Sequence, residues 1–219
     1  MIDLHTHTIF SDGELLPSEQ VRRAKVLGYE AIAITDHADY TNLEELVAAA
    51  KKARYLEQPC GITVIPGVEL THVPPAHIGP LAKIAKQLGA EIVVVHGETP
   101  AEPVAPGTNA AALASRDVDV LAHPGFITPE EARAAAANDI LLEITARKGH
   151  NMTNGHVARI ASEAGARMIV DTDAHAPEDL ITVQRAREVA IGAGMSADDA
   201  DLTLENARAF VAKILKNRK

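Results

Sequence analysis

Seven short apolar runs alternating with amphipathic stretches predict an α/β chain built around a parallel sheet. Three observations carry that expectation. The runs, at residues 2–4, 31–35, 62–66, 91–95, 118–122, 140–144 and 166–170, are largely apolar and continuous rather than alternating, as expected of strands buried on both faces. Segments with helical spacing separate them, and the strand and helix unit recurs roughly every 25 to 35 residues, which suits a closed barrel or an open doubly wound sheet. Hydrophobic residues make up 47% of the 219 positions and aromatics only 3%, so the core must be aliphatic.

Taken in order, the run at 2–4 is followed by a helix at 17–27, which Pro17 starts and Gly28 stops. The run at 31–35 leads to a helix at 42–56, the run at 62–66 to one at 78–88, and the run at 91–95 to a long loop. That loop, 98–108, contains Pro100, Pro103 and Pro106 and reads as a connection within one domain rather than a boundary. Helices at 109–115, 129–137, 153–164 and 181–193 complete the alternation with the remaining runs. A last helix at 197–215 opens with acidic residues and closes toward Lys213, Lys216, Arg218 and Lys219, matching the helix dipole. Nothing in the chain resembles a linker, so one domain spanning 1–219 is expected, with this last helix packed on it.

Composition also limits partners and place. The net charge of −9 argues against binding held mainly by neutralised nucleic-acid phosphates, which needs clustered Lys and Arg. It leaves room for a small anionic substrate, because bound divalent cations would offset part of the charge locally. Cys60 is the single cysteine, so no internal disulfide is possible, and no run approaches the ~18 apolar residues of a membrane span. A soluble cytoplasmic protein with no membrane partner is expected.

The decisive pattern lies in the residues just after each run. His5-Thr6-His7 and Ser11-Asp12-Gly13 come after the first, Asp36-His37 after the second, Glu69 after the third, His96 after the fourth and His123 after the fifth. Arg147 and Lys148 come after the sixth, and Asp173 with His175 after the seventh. In a parallel barrel these strand ends converge on one face, where active sites of such folds sit. Six of the ten histidines occupy such positions, more than ordinary loop composition accounts for. His5 and His7 are two apart on an extended chain, as are Asp173 and His175, so each pair can serve one ion. Imidazole mixed with carboxylate suits Zn²⁺, Mn²⁺ or Fe²⁺ better than the all-oxygen preferences of Mg²⁺ and Ca²⁺.

Taken together these motifs resemble the PHP (polymerase and histidinol phosphatase) domain family. Asp3-Leu4-His5-Thr6-His7-Thr8 with Ser11-Asp12-Gly13 is similar to its first motif, Ile34-Thr35-Asp36-His37 to its second and Pro66-Gly67-Val68-Glu69 to its Glu motif. His96 follows an apolar strand as the family requires, and Ala122-His123-Pro124-Gly125 and Thr172-Asp173-Ala174-His175 are similar to the remaining motifs. The resemblance implies a distorted (β/α)7 TIM-like barrel with two or three divalent ions. By position, His5, His7, Glu69 and Asp173 would hold one ion, Glu69 would bridge to a second on His96 and His123, and Asp12, His37 and His175 would hold a third.

That arrangement implies a phosphoesterase in which a metal-activated hydroxide attacks phosphorus, with Glu69, Asp173, His175 and Arg147 assigned to catalysis. Arg147, Lys148 and His150 are expected to bind substrate, and Asp36 to orient a ligand. Glu143, alone among apolar neighbours on its strand, must face the site or pair with a base such as Arg147. His72, His77 and His156 lie outside the pattern and are expected at the surface. The resemblance makes a small-molecule phosphomonoester, led by L-histidinol phosphate, the expected substrate. A phosphodiesterase or exonuclease on nucleotides, and a non-catalytic metal-binding module, are the alternatives. The loop at 97–108, with Glu98 and Glu102 as attractants for an amine, is the expected specificity lid.

Overall fold

A computed structural model describes residues 1–218; Lys219, expected in the basic end of the last helix, lies outside the described residues. All seven expected strands form. β1 (Ile2–Asp3), β2 (Ala31–Ile34), β4 (Thr63–Leu70), β5 (Ile92–His96), β6 (Val120–Ala122), β7 (Leu141–Thr145) and β8 (Met168–Asp171) pair in that order and in parallel. An eighth strand, β3 (His37–Ala38), is not among those expected; it lies against the upper part of β4 with His37 beside Glu69. Apart from β3, neighbours in the sheet are neighbours in the chain, without the order reversal of a doubly wound sheet.

The sheet closes between its first and last strands. Thr6 and Ala174 form a parallel bridge, His7 N–H donates to Ala174 O (2.8 Å), and Asp173 N–H donates to His5 O (3.0 Å). Lower on the seam a side chain replaces the ladder: Leu4 N–H donates to Asp171 Oδ1 at 2.7 Å. The result is the expected distorted (β/α)7 TIM-like barrel, with its distortion at this seam.

Nine helices surround the barrel among the described residues: α1 (Pro17–Val26), α2 (Leu43–Ala53), α3 (Glu57–Cys60), α4 (Pro75–Leu88), α5 (Thr108–Leu113), α6 (Pro129–Asn138), α7 (Asn154–Ala164), α8 (Val183–Gly192) and α9 (Ala197–Asn217). The helix expected at 42–56 ends earlier, continuing as a 3₁₀ turn (Arg54–Leu56) and then α3, where Pro59 removes a donor and Gly61 turns left-handed at φ 61°. β4 runs past its expected end at residue 66 because Gly67 admits the neighbouring strand, where a Cβ would stand 2.3 Å from Ile92 Cγ2. Glu69 therefore lies within a strand, not after one.

Alternation along the strands divides the core in two. Outward residues such as Val64, Val68, Val93, Val95 and Leu142 pack under the helices. Inward residues, including Ile65, Val94, Leu141 and Ile169, fill the lower barrel, and Phe210, Val211 and Ile214 of α9 close its bottom. Burying Phe210 there contributes about 1.5–3 kcal/mol. Arg218 fastens this plug to Glu57 Oε1 (2.7 Å) and Glu91 Oε2 (2.5 Å). Followed upward at steps of two, the same inward rows reach Glu69, His96, Glu143 and Asp173, so one periodicity that fills the floor with aliphatics aims imidazole and carboxylate side chains into the top.

Candidate metal centre

All nine residues expected to bind metal converge at the C-terminal ends of the strands. His5 Nε2 and His7 Nε2 lie 3.0 Å apart. Around them, His5 Nε2 is 3.3 Å from Glu69 Oε1 and 3.7 Å from Asp173 Oδ1, while His7 Nε2 is 3.2 Å from Asp173 Oδ1. Glu69 is the hub: its Oε1 also faces His96 Nδ1 (3.4 Å) and His123 Nε2 (3.6 Å), and its Oε2 faces His37 Nε2 (2.8 Å). Asp12, on the loop after β1, reaches His175 Nε2 (3.1 Å) and His37 Nδ1 (3.5 Å).

The backbone is bent to achieve this. His123 and Asp173 have φ of 28° and 52°, a region that non-glycine residues rarely adopt and that concentrates at functional sites. Behind His123, Gly125 (φ 63°) passes so close to the next loop that a Cβ would stand 1.9 Å from Glu98 O.

Buried acids hold these side chains from behind. Glu143, fully buried, does not pair with Arg147. Its Oε1 accepts from His5 Nδ1 (2.8 Å) and its Oε2 from the His123 backbone N–H (2.8 Å). The His5 proton is thereby fixed on Nδ1, leaving Nε2 for the centre. Asp36 accepts from Thr8 N–H (2.7 Å), Thr8 Oγ1 (2.8 Å) and Ser11 Oγ (2.8 Å), fixing the loop that carries Asp12.

The lid and rim also differ from expectation. Glu98 turns to its own loop: its Oε1 accepts from Gly107 and Asn109 N–H, both at 3.0 Å, and fixes the entry to α5. Glu102 is the acid at the mouth. Its Oε1 bonds His72 Nε2 (2.9 Å), and its carbonyl accepts from His96 Nε2 (3.3 Å), leaving His96 Nδ1 toward Glu69. His72 is exposed, as expected, and also stacks on His96 with centroids 5.6 Å apart. His77 and His156 do lie outside, against Tyr40 and Ile127 O. Arg147 Nη1 donates to Asp173 O (3.1 Å), with Nε 3.5 Å from Asp173 Oδ2, at the rim of the site. Lys148 is exposed and has no ion pair among the described residues. His150 departs furthest from expectation: it is buried, its ring 4.5 Å from His123 and 5.8 Å from His96.

The electrostatics favour a cation. Burial keeps His123 and His7 well below the ordinary imidazole range, hence neutral and able to donate a lone pair. Burial opposes charge on His5 too, but Glu143, Glu69 and Asp173 override it and push its pKa well up, leaving a proton that a metal ion would displace. Burial alone would raise Glu69; His5 and His37 hold it well below the usual carboxylate range.

The residues fit divalent ions on the chemistry of the donors and on their lack of partners. His7 Nδ1, Glu69 Oε1, His96 Nδ1, His123 Nδ1 and His150 Nδ1 are buried without a hydrogen-bond partner, a cost a structure accepts where another partner is intended. Donor atoms fall into groups spanning no more than 4.8 Å: His5, His7 and Glu69; His5, His123 and Asp173; His7, Asp12, His37 and His175; and His96, His123 and His150. The partition differs from the one implied by motif position, since His7 also reaches the Asp12 group and His150 joins His96 and His123. The signal for His150 was present in Gly149-His150, a left-handed turn after a strand, though without a ligand motif around it.

Comparison with known proteins agrees with the motifs. A family model described as the PHP domain matches residues 3–163. An uncharacterised protein of Methanocaldococcus jannaschii is 56% identical over 207 residues, 92% of this chain and 94% of that one. Among solved structures, a chain in an archaeal ribonuclease P with mature tRNA matches at a TM-score of 0.69 and 16% identity, covering 96% of this chain and 90% of that chain. Histidinol phosphate phosphatase of Lactococcus lactis, complexed with zinc, L-histidinol and phosphate, matches at 0.61 and 18% identity over 89% and 94%. At those identities the structural likenesses speak to fold alone.

Proposed function

The chain belongs to the PHP domain family, and from that premise we propose that this metal-dependent phosphoesterase hydrolyses a phosphomonoester of a small molecule. The observation that carries the reading is the Glu69 carboxylate: fully buried, faced by imidazoles from five separate positions, with one oxygen left without a hydrogen-bond partner. Such a group is built to bridge cations. Divalent ions held there would supply Lewis acidity toward phosphoryl oxygens and an activated water nucleophile.

The protein's own part is positional. His5, His7, Glu69 and Asp173 form the floor, His96 and His123 one wall, and Asp12, His37 and His175 the other. Arg147 stands at the rim beside Asp173, where its guanidinium can take phosphate oxygens in bidentate fashion. Asp179, 3.7 Å from Arg147 Nη1, steadies it. Glu102, half-exposed at the mouth, favours a substrate whose alcohol portion carries an amine, and L-histidinol phosphate is such an ester.

A second reading, a phosphodiesterase or exonuclease on nucleotides or short oligonucleotides, is favoured by one feature the composition concealed. Phe10, Tyr40 and Phe126 are exposed on the loops after β1, β3 and β6, toward the site face, where bases could stack. The net charge of −9 weighs against it.

The test is a hydrolysis screen of purified protein with Mn²⁺, Zn²⁺ or Fe²⁺ on histidinol phosphate, nucleotides, p-nitrophenyl phosphate and bis-p-nitrophenyl phosphate. Monoester preference is expected. Preference for the diester or for oligonucleotides would install the second reading, and inactivity on all with metals bound would leave a non-catalytic module.

A further inference from the structure

The position between His96 and His123 has a third imidazole beside it that no ligand motif supplies. His150 sits on a 3₁₀ turn (His150–Thr153) entered through Gly149, whose φ of 93° and ψ of −54° a side chain would strain. The turn is tied down twice: Asn151 N–H donates to Arg147 O (3.1 Å), and Asn154 brackets the end of β7, with Oδ1 accepting from Thr145 N–H (3.2 Å) and Nδ2 donating to Thr145 O (2.8 Å). This scaffold drives the ring inward until its side chain is only 9% exposed.

At that depth its polar atoms need partners. Nε2 faces Glu102 Oε2 at 4.0 Å, and Nδ1 is buried with none. One ring nitrogen from each of His150, His96 and His123 falls within 4.8 Å of the other two. A leaving-group acid would be expected to face the open mouth, not to be packed among other imidazoles.

We propose that His150 is a third imidazole ligand to the ion held by His96 and His123. The inference rests on the reading of this cluster as a metal centre and deepens it. With the Glu69 carboxylate, that position becomes three nitrogens and one oxygen, a set that selects Zn²⁺ or Fe²⁺ over Mg²⁺, whereas the position on Asp12, His37 and His175 keeps the mixed character the motifs imply. Glu102 then stands behind His150 as the carboxylate behind a metal-bound imidazole, which couples the lid loop to this ion.

The test compares the unmutated protein with His150→Ala by metal analysis, chelator competition and the visible spectrum of the Co²⁺ form. His150→Ala should lower the affinity for one ion of the set by at least about tenfold, the loss that even an outer-shell partner causes, and should change the Co²⁺ absorption. His156→Ala, a histidine outside the cluster, should change neither. Because a core substitution can unfold a protein, imidazole ¹⁵N spectra of unmutated protein titrated with Zn²⁺ give a second readout: His150 should shift together with the histidines of the motif set. Unchanged affinity and spectrum in His150→Ala, or a His150 resonance unmoved by Zn²⁺, overturns the proposal while leaving the hydrolase reading intact. Metal readouts as expected with no hydrolysis of any ester would instead sink the hydrolase reading and leave His150 a ligand.

Discussion

Glu143→Gln isolates how much the barrel's interior contributes to the centre without touching a ligand. The carboxylate accepts two hydrogen bonds of 2.8 Å, from His5 Nδ1 and from the His123 backbone N–H, and both donors are buried. Glutamine keeps the shape but only one acceptor, so whichever way the amide turns, its NH₂ meets a donor. Losing a hydrogen bond to a charged group costs about 1.5–3 kcal/mol. Metal affinity should fall by a similar amount, since outer-shell partners of ligating histidines are worth about 10- to 100-fold, or about 1.4–2.8 kcal/mol. The assay is competition between the protein and a chromogenic chelator for Zn²⁺, with thermal unfolding of the metal-free form to confirm the fold. Affinity within about twofold of the unmutated protein, with the fold preserved, would refute the claim that Glu143 sets the His5 tautomer and the His123 backbone.

Glu69→Gln should abolish turnover and remove at least one ion, read by metal analysis alongside hydrolysis; retained activity would end the bridging role. Gly125→Ala places a Cβ where it would be 1.9 Å from Glu98 O, at φ 63°, and should destabilise by about 1–3 kcal/mol from overpacking alone, seen in denaturant midpoints. Arg147→Ala should lower kcat/KM by about 10- to 150-fold, the worth of one hydrogen bond to a charged group, with metal content unchanged; steady-state kinetics decide it. Chelation should lower Tm: ions present at about 100 times their Kd contribute about 2.7 kcal/mol, or about 5–11 °C at this chain length, and calorimetry with and without chelator reads it.

The sequence by itself determined the fold class and which histidines and acids gather on one face. Continuous apolar runs mark buried parallel strands, and the ionisable residues that follow each run must appear at the strand's C-terminal end, because chain direction is shared across the sheet. The motifs favoured the barrel over the open sheet, and the tertiary structure settled it through the seam between β1 and β8. Only that structure decided which acids serve which histidines. Glu143 and Arg147 are four residues apart and looked like partners, yet the barrel's inward rows turn Glu143 toward His5, 138 residues away in sequence. His150 lacked a motif because its burial comes from a turn pinned to β7 by Asn154, a contact invisible to spacing. His72 and Glu102 meet only because the lid folds back over His96. Periodicity is local and survives in one dimension, whereas pairing across a barrel depends on closure, which no single segment encodes.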